Sequence, residues 1–422
     1  MLEIAKLKIE EYGKKFDLDL AYIIKSEFWV YARQAITILT GLIVYVAFTR
    51  LVSKETFGNY NFLLALLSVL SIVSLPGLNT AVLRSVARGY EGCYKKAVRL
   101  SFYWSLLGTP LLICAGAYVY YTMSEAPGTC LMIAGIFFPF MFATNTWDSL
   151  LQGKKRFDLS AKFISAQSIL NAIAMVSVIF LDPGNLVAII LTYLLTTSVL
   201  NCLFYLISHR YVDNDREDQD WKKYGYFITV TGIVGLIANN IDRILIGVLL
   251  GPVDLAVYSV ALMIPDKLKD TLKYAWTPFT PKFCQESVDL KLVRGKLKKV
   301  IVPVVVAVIL ISAAYILFVD DVIILLFGEG YADSIFYSQA LILMVLLSVP
   351  GVFFGTFAVS KKSKNAINWG YNIFPFIKIA MVCILTFFMG LAGTVIGLIL
   401  STAVQLFLLS AGTVIDERSG GE

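Results

Sequence analysis

The sequence predicts an all-α polytopic membrane protein with twelve spanning helices in two pseudo-symmetric six-helix lobes, and three observations predict it. Of its 422 residues 58% are hydrophobic and 16% charged, and the mean hydropathy is +0.75, outside the range of soluble domains. Apolar runs of bilayer length, ~20 residues for ~30 Å of hydrocarbon, recur twelve times along the chain. The basic residues gather on alternate loops, which sets one orientation.

Taken in order, the first 27 residues mix charges with Ile4, Leu7, Tyr12 and Phe16 at loosely helical spacing. They read as an amphipathic segment on the cytoplasmic leaflet or as a solvated helical tail. They lack the apolar region of a cleavable signal peptide, so the first span is expected to direct insertion itself. Spanning runs follow near 28–49, 60–82, 98–121, 129–151, 160–180, 186–207, 226–250, 255–279, 300–319, 335–357, 370–389 and 391–412. Six of them form an N-lobe over 28–208. A polar cytoplasmic linker, 209–225, separates it from a C-lobe over 226–412, and 413–422 is a cytoplasmic tail. Pro76, Pro139, Pro265, Pro350 and Pro375 interrupt several spans, which is tolerated where neighbours or water satisfy the freed backbone groups.

Of 36 Lys and Arg, 28 lie in the N-terminal tail, the even-numbered turns and the C-terminal tail, against two, Arg50 and Lys54, in the opposite loops. Both termini are therefore expected in the cytoplasm. Leu51–Tyr60 (LVSKETFGNY) and Leu249–Tyr258 (LLGPVDLAVY) each join the first and second spans of a half, and a basic loop follows each second span. Two halves of the same orientation imply parallel repeats with a site at their interface.

The remaining six basic residues, Arg33, Arg243, Lys267, Lys269, Lys273 and Lys378, fall inside spans. Charge at that depth needs a partner or water, so these residues are candidates for a cavity. In the seventh span Asn239, Asp242 and Arg243 stand at i, i+3 and i+4, in line with Gly232 and Gly235. Asp242 beside Arg243 also reads as a structural pair that neutralises itself. In the eighth span Asp266, Lys269, Asp270 and Lys273 form a stripe, with Lys267 beside it and Pro265 placed to kink the helix. Lys273 and Arg33 are near enough to the cytoplasmic boundary for snorkelling to be the alternative to ligand contact. Lys378 lies mid-span near Asn368 and Asn372, and a cavity-facing role is expected; Asp148 reads as an interfacial anchor. Basic groups outnumber acidic ones in this set, so a net positive cavity is expected. Phosphate or pyrophosphate, with several acceptor oxygens, suits it. Asp242, Asp266 and Asp270 are expected to orient the lysines or to bind a coupling proton or monovalent cation.

Composition excludes other classes. The single histidine, His209, lies in a loop, and the six cysteines lack metal-ligand spacing, so no cofactor or metal is expected. No Walker A pattern is present. The basic loops answer to membrane topology and not to nucleic acid. An embedded acyl- or glycosyltransferase would need a catalytic base or a carboxylate cluster at the interface.

Residues 48–88 (FTRLVSKETFGNYNFLLALLSVLSIVSLPGLNTAVLRSVAR), 150–171 (LLQGKKRFDLSAKFISAQSILN), 239–268 (NNIDRILIGVLLGPVDLAVYSVALMIPDKL) and 325–344 (LLFGEGYADSIFYSQALILM) resemble polysaccharide transporters of the multidrug/oligosaccharidyl-lipid/polysaccharide superfamily, the group with the Wzx-type O-antigen flippases. The resemblance implies a V-shaped, MATE-like arrangement of two lobes about a central cavity. It implies flipping of a polyprenyl-(pyro)phosphate-linked oligosaccharide from the cytoplasmic to the outer leaflet of a prokaryotic cytoplasmic membrane, by alternating access. It places phosphate contacts at Arg33, Arg243, Lys267, Lys269 and Lys378. Membrane lipids, glycosyltransferases and a polymerase are the expected partners of a monomer. A drug/cation antiporter of the same superfamily would have a more acidic or aromatic cavity. A lipid II flippase would usually carry two further helices.

Overall fold

The computed structural model describes residues 20–122, 124–275 and 290–419, with side chains over 28–271 and 302–416 apart from 123 and 304. Among the described residues all regular structure is helical. The first span is Leu20–Leu51, followed by Lys54–Leu70, Cys93–Thr122, Glu125–Phe142, Phe157–Leu181 and Leu186–Ser208. In the second half come Trp221–Ala238 continued by Ile241–Leu249, then Pro252–Ala275, Leu290–Phe327, Asp333–Ser360 and, from Lys364, a long helical stretch holding spans eleven and twelve. Among the described residues twelve crossings follow once two facts are set beside the helices that are plainly apolar enough to span. The charged Pro252–Ala275 has spanning length, and the stretch Phe374–Ser419 is broken at Gly390, whose φ of 59° and ψ of −137° are open to glycine without strain. The hairpin there is closed by a hydrogen bond between the Thr386 and Thr394 hydroxyls at 2.8 Å.

Several spans are interrupted where the sequence supplies a breaker and a substitute partner. The second ends in a short turn, Ser71–Ser74, and Leu75 takes a left-handed conformation before Pro76 opens the helix Gly77–Ala87. Gly77 N–H is received by the Thr229 hydroxyl at 3.0 Å. In the fourth, Pro139 precedes a tight turn over Thr144–Thr146, after which Trp147–Gly153 completes the crossing. The seventh bends by 45° between Ala238 and Ile241. The Asn240 amide spans the break, donating to Leu236 O at 3.0 Å and to the Ser68 hydroxyl at 3.1 Å.

Packing divides the chain into two compact units. One comprises the chain up to Ala47 with Leu70–Val230; its core holds Tyr94, Trp147, Leu150, Phe204 and Trp221. The other comprises Phe48–Val69 with the chain from Thr231 onward, around Ile246, Leu255, Tyr258, Leu341 and Val395. The C-terminal end of the first span and most of the second thus belong to the second unit, although they lie in the first half of the sequence. The two repeat-related stretches meet there: a Cβ on Gly58 would lie 1.7 Å from Pro252 O. Arg50 donates to the carbonyls of Ile324, Leu325 and Leu326 at 3.0, 2.5 and 3.2 Å, satisfying the open C-terminal turn of the ninth span. Lys54 sits over the Tyr331 ring at 5.3 Å.

The polar linker is held to the first unit. Lys154 pairs with Glu91 at 2.9 Å and Asp213 at 2.6 Å, Arg88 pairs with Asp218 at 2.9 Å, and Gly92 N–H reaches Arg216 O at 2.8 Å. The first unit accordingly extends through 209–225 to Val230. Of the predicted N-terminal segment 1–27, residues 1–19 lie outside the described residues.

Candidate functional site

Within the second unit a cavity of about 870 Å³ is lined by spans seven, eight, ten, eleven and twelve. Each charged lining residue comes from a helix with a local irregularity. Asn239, Asp242 and Arg243 flank the bend of the seventh span. Asp266, Lys269 and Asp270 follow Pro265 in the eighth. Lys378 follows Pro375 in the eleventh, beyond a wide π-helical turn over Asn368–Ile373. Such turns lift backbone groups off their regular partners, which is tolerated at membrane depth where the helix lines a cavity. Gly235 and Gly351 keep the walls low; a Cβ on either would meet nothing within 4 Å.

The charges are arranged unequally. Lys269 and Asp266 form an ion pair at 3.0 Å. Asp242, 4% exposed, accepts a hydrogen bond from the Tyr258 hydroxyl through Oδ2, while Oδ1 has no hydrogen-bond partner among the described residues. The Lys378 ammonium makes no ion pair or hydrogen bond with a described residue and faces the cavity. Arg243, Lys269 and Lys378 balance Asp242, Asp266 and Asp270 on the described lining. The net positive cavity expected from the sequence is therefore not what the described lining residues form. Of the six basic residues, Arg33 and Lys267 are not part of this lining, and the third that would make the excess, Lys273, has its side chain outside the described residues.

Those three are accounted for separately. Lys267 stands beside the lining face of the eighth span and is not among the cavity residues. The Lys273 side chain falls outside the described residues. Arg33 belongs to the first unit, where its guanidinium donates to the Ser160 hydroxyl at 3.0 Å and lies 3.9 Å from Asp148. Asp148, read from the sequence as an interfacial anchor, is the carboxylate that compensates Arg33, and it also accepts from Gln152 at 2.6 Å.

Sequence reasoning passed over the neutral polar wall. Ser348, Thr356, Tyr371, Ser401, Thr402 and Gln405 line the same cavity. Gln405 reaches toward Gly370 O at 3.4 Å, beside the wide turn. Their signal was weak because single hydroxyls and amides recur in spanning helices as local backbone bonds.

The model of the family described as "Polysaccharide biosynthesis protein" matches residues 23–270, more than half of the chain. The chain belongs to that family. Among curated proteins none matches this member. Solved structures resemble it over nearly its whole length. A MATE protein in complex with MaD5 is 16% identical, with a TM-score of 0.66 over 95% of this chain and 97% of that one. The eukaryotic MATE transporter AtDTX14 is 13% identical, with a TM-score of 0.63 over 93% and 95%. A transporter of the multidrug/oligosaccharidyl-lipid/polysaccharide superfamily from Pyrococcus furiosus is 13% identical, with a TM-score of 0.58 over 94% and 95%; its description reports a binding pocket of reversed polarity. This polysaccharide biosynthesis family member is thus a multi-pass membrane protein with the fold of those transporters.

Proposed function

We propose that this protein is an exporter that flips a polyprenyl-(pyro)phosphate-linked oligosaccharide from the cytoplasmic to the outer leaflet of a prokaryotic cytoplasmic membrane. Its family membership supports a role in polysaccharide assembly. The single observation that carries the substrate is Lys378. An ammonium held about 20 Å along its span, at 1.5 Å per residue from Lys364, is costly unless it meets water or an anion. It opens into the cavity that Arg243 and Lys269 also line. A phosphate there receives charge-assisted hydrogen bonds, while the polyprenyl tail stays in lipid. Asp266 holds Lys269 in place, and Asp242, held by the Tyr258 hydroxyl behind it, lines the same cavity. Alternating access moves the head group across, with both termini in the cytoplasm, and glycosyltransferases and a polymerase act before and after it.

The three carboxylates on the same wall favour one rival, a cation or drug antiporter of the same fold. Both readings are tested by following a fluorescent polyprenyl-pyrophosphate oligosaccharide and a cationic dye in proteoliposomes. Lys378→Ala should reduce lipid flipping roughly tenfold or more, the loss of one hydrogen bond to a charged group, with insertion intact. Dye movement without lipid movement would replace the flippase reading by the antiporter.

A further inference from the structure

The first unit carries a polar face that the charged cavity of the second unit leaves unexplained. On the fifth span, Ser160, Gln167, Ser168 and Asn171 fall along one side, and the exposed Ile169 and Ile173 lie on the other. Gln167 donates its amide to Asn201 Oδ1 at 3.0 Å, and Asn171 donates to the Thr197 hydroxyl at 3.0 Å. Asn201 is itself fixed, accepting from the Trp147 indole at 3.3 Å and donating to Met141 O at 2.9 Å. The Ser168 hydroxyl meets Thr37 of the first span at 3.3 Å.

These bonds engage one amide hydrogen of each carboxamide and leave the acceptor oxygens over. Among the described residues nothing donates to Gln167 Oε1 or Asn171 Oδ1, and neither oxygen is enclosed. Gln167 stands about 15 Å into its span at 1.5 Å per residue, where an open carboxamide oxygen facing hydrocarbon would be unfavourable. That side of the helix is therefore wet. Its local charge is neutral, since Arg33 is compensated by Asp148 at 3.9 Å. The repeat adds an independent argument: the fifth span of the second half is the eleventh, which lines the cavity of its own unit with Tyr371 and Lys378.

We propose that Gln167 and Asn171, with Thr37 and Ser168 beside them, form a neutral subsite that binds the hydroxyl groups of the oligosaccharide, separate from the charged groups that take its phosphate. The identity of the ligand rests on the flippase reading; the subsite itself rests on the two oriented acceptors. Acceptors one helical turn apart, held by their own amide bonds, suit the hydroxyl donors of a neutral sugar chain, whereas a phosphate brings acceptor oxygens that find no partner in them.

The test compares wild type with Gln167→Leu/Asn171→Leu, which removes the acceptors together with the amide donors to Asn201 and Thr197. Full-length protein in proteoliposomes is given two polyprenyl-phosphate lipids, one with a monosaccharide head and one with a neutral tetrasaccharide head. The expected result is a tenfold or greater loss of tetrasaccharide-lipid flipping with the monosaccharide lipid within twofold of wild type. Equal loss of both, or loss of neither, overturns the subsite. Asn171→Gln, which restores the acceptor one methylene further out, guards against a folding defect and should keep at least a third of tetrasaccharide transport; no better rescue than the leucine double variant counts against the proposal. If wild type flips neither lipid, it is the flippase reading that fails. Saturation-transfer NMR with the free tetrasaccharide then decides the subsite. A saturable transfer signal that disappears in the leucine double variant sustains it, and the lack of any such signal with wild type ends it.

Discussion

Tyr258 donates its hydroxyl hydrogen bond to Asp242 from the helix following the bend that places Asp242 at the cavity. Tyr258 is fully buried and Asp242 is 4% exposed, so the bond holds a carboxylate in place where water does not reach its second oxygen. Tyr258→Phe should therefore lower stability by about 1.5–3 kcal/mol, the range for a hydrogen bond to a charged group. The check is the thermal midpoint in detergent. A double variant with Asp242→Asn should lose less than the sum of the two single changes, because the amide needs the bond less; strict additivity would mean that the pair is not coupled.

Arg50 should anchor the hairpin between the first and second spans. Arg50→Ala removes three hydrogen bonds to the last carbonyls of the ninth span. A loss of about 1–2 kcal/mol is expected from charged donors at a helix C-terminus. Arg50→Lys should recover part of it, since one ammonium cannot reproduce the guanidinium fork. Faster labelling of a cysteine placed at Ser53 in Arg50→Ala, with an impermeant reagent, would report the loosened hairpin; unchanged labelling would show that the hairpin is held by other contacts.

Gly58→Ala tests the meeting of the two repeat stretches. The added methyl would fall 1.7 Å from Pro252 O, a backbone atom that cannot swing aside. Misfolding or a midpoint lowered by several degrees is expected, whereas Gly232→Ala, with nothing within 4 Å, should be close to neutral. Equal tolerance of both would contradict the packing of the second span against the eighth.

Asp416 caps the start of the eleventh span. Its carboxylate accepts from Asn365 N at 2.9 Å, from Asn365 Nδ2 at 2.5 Å and from the Ser363 hydroxyl. Asp416→Ala should cost about 1–2 kcal/mol, as for other lost N-terminal caps. Hydrogen exchange at Asn365–Ile367 should rise in the variant.

The polar linker gives a pH prediction. Burial lowers the Lys154 pKa, but its bonds to Asp213 and Glu91 outweigh that and leave it above the ordinary 10.5. A lysine raised in the native state stabilises fully below its unfolded value and loses that contribution as pH climbs through the native one. The midpoint difference between wild type and Lys154→Met should thus be constant through neutral pH and shrink only above about pH 10.5. A difference that already collapses near pH 7 would assign the linker's attachment to other groups.

The sequence by itself determined that this is a membrane protein, roughly where its spans run, and which residues had to avoid lipid. Those are one-dimensional consequences of hydrocarbon thickness and of the cost of charge within it. The division of the last long helical stretch at Gly390 and the cavity position of Lys378 were legible for the same reason, since hydrocarbon thickness limits one span and a lysine in mid-span demands a local accommodation. Only the tertiary structure decided which charges meet. It paired Arg33 with Asp148 from a different span, set Tyr258 on Asp242, balanced the cavity wall, and moved Phe48–Val69 into the second unit. Pairing of that kind depends on helix rotation and crossing, which interhelical packing fixes and periodicity along one helix leaves open.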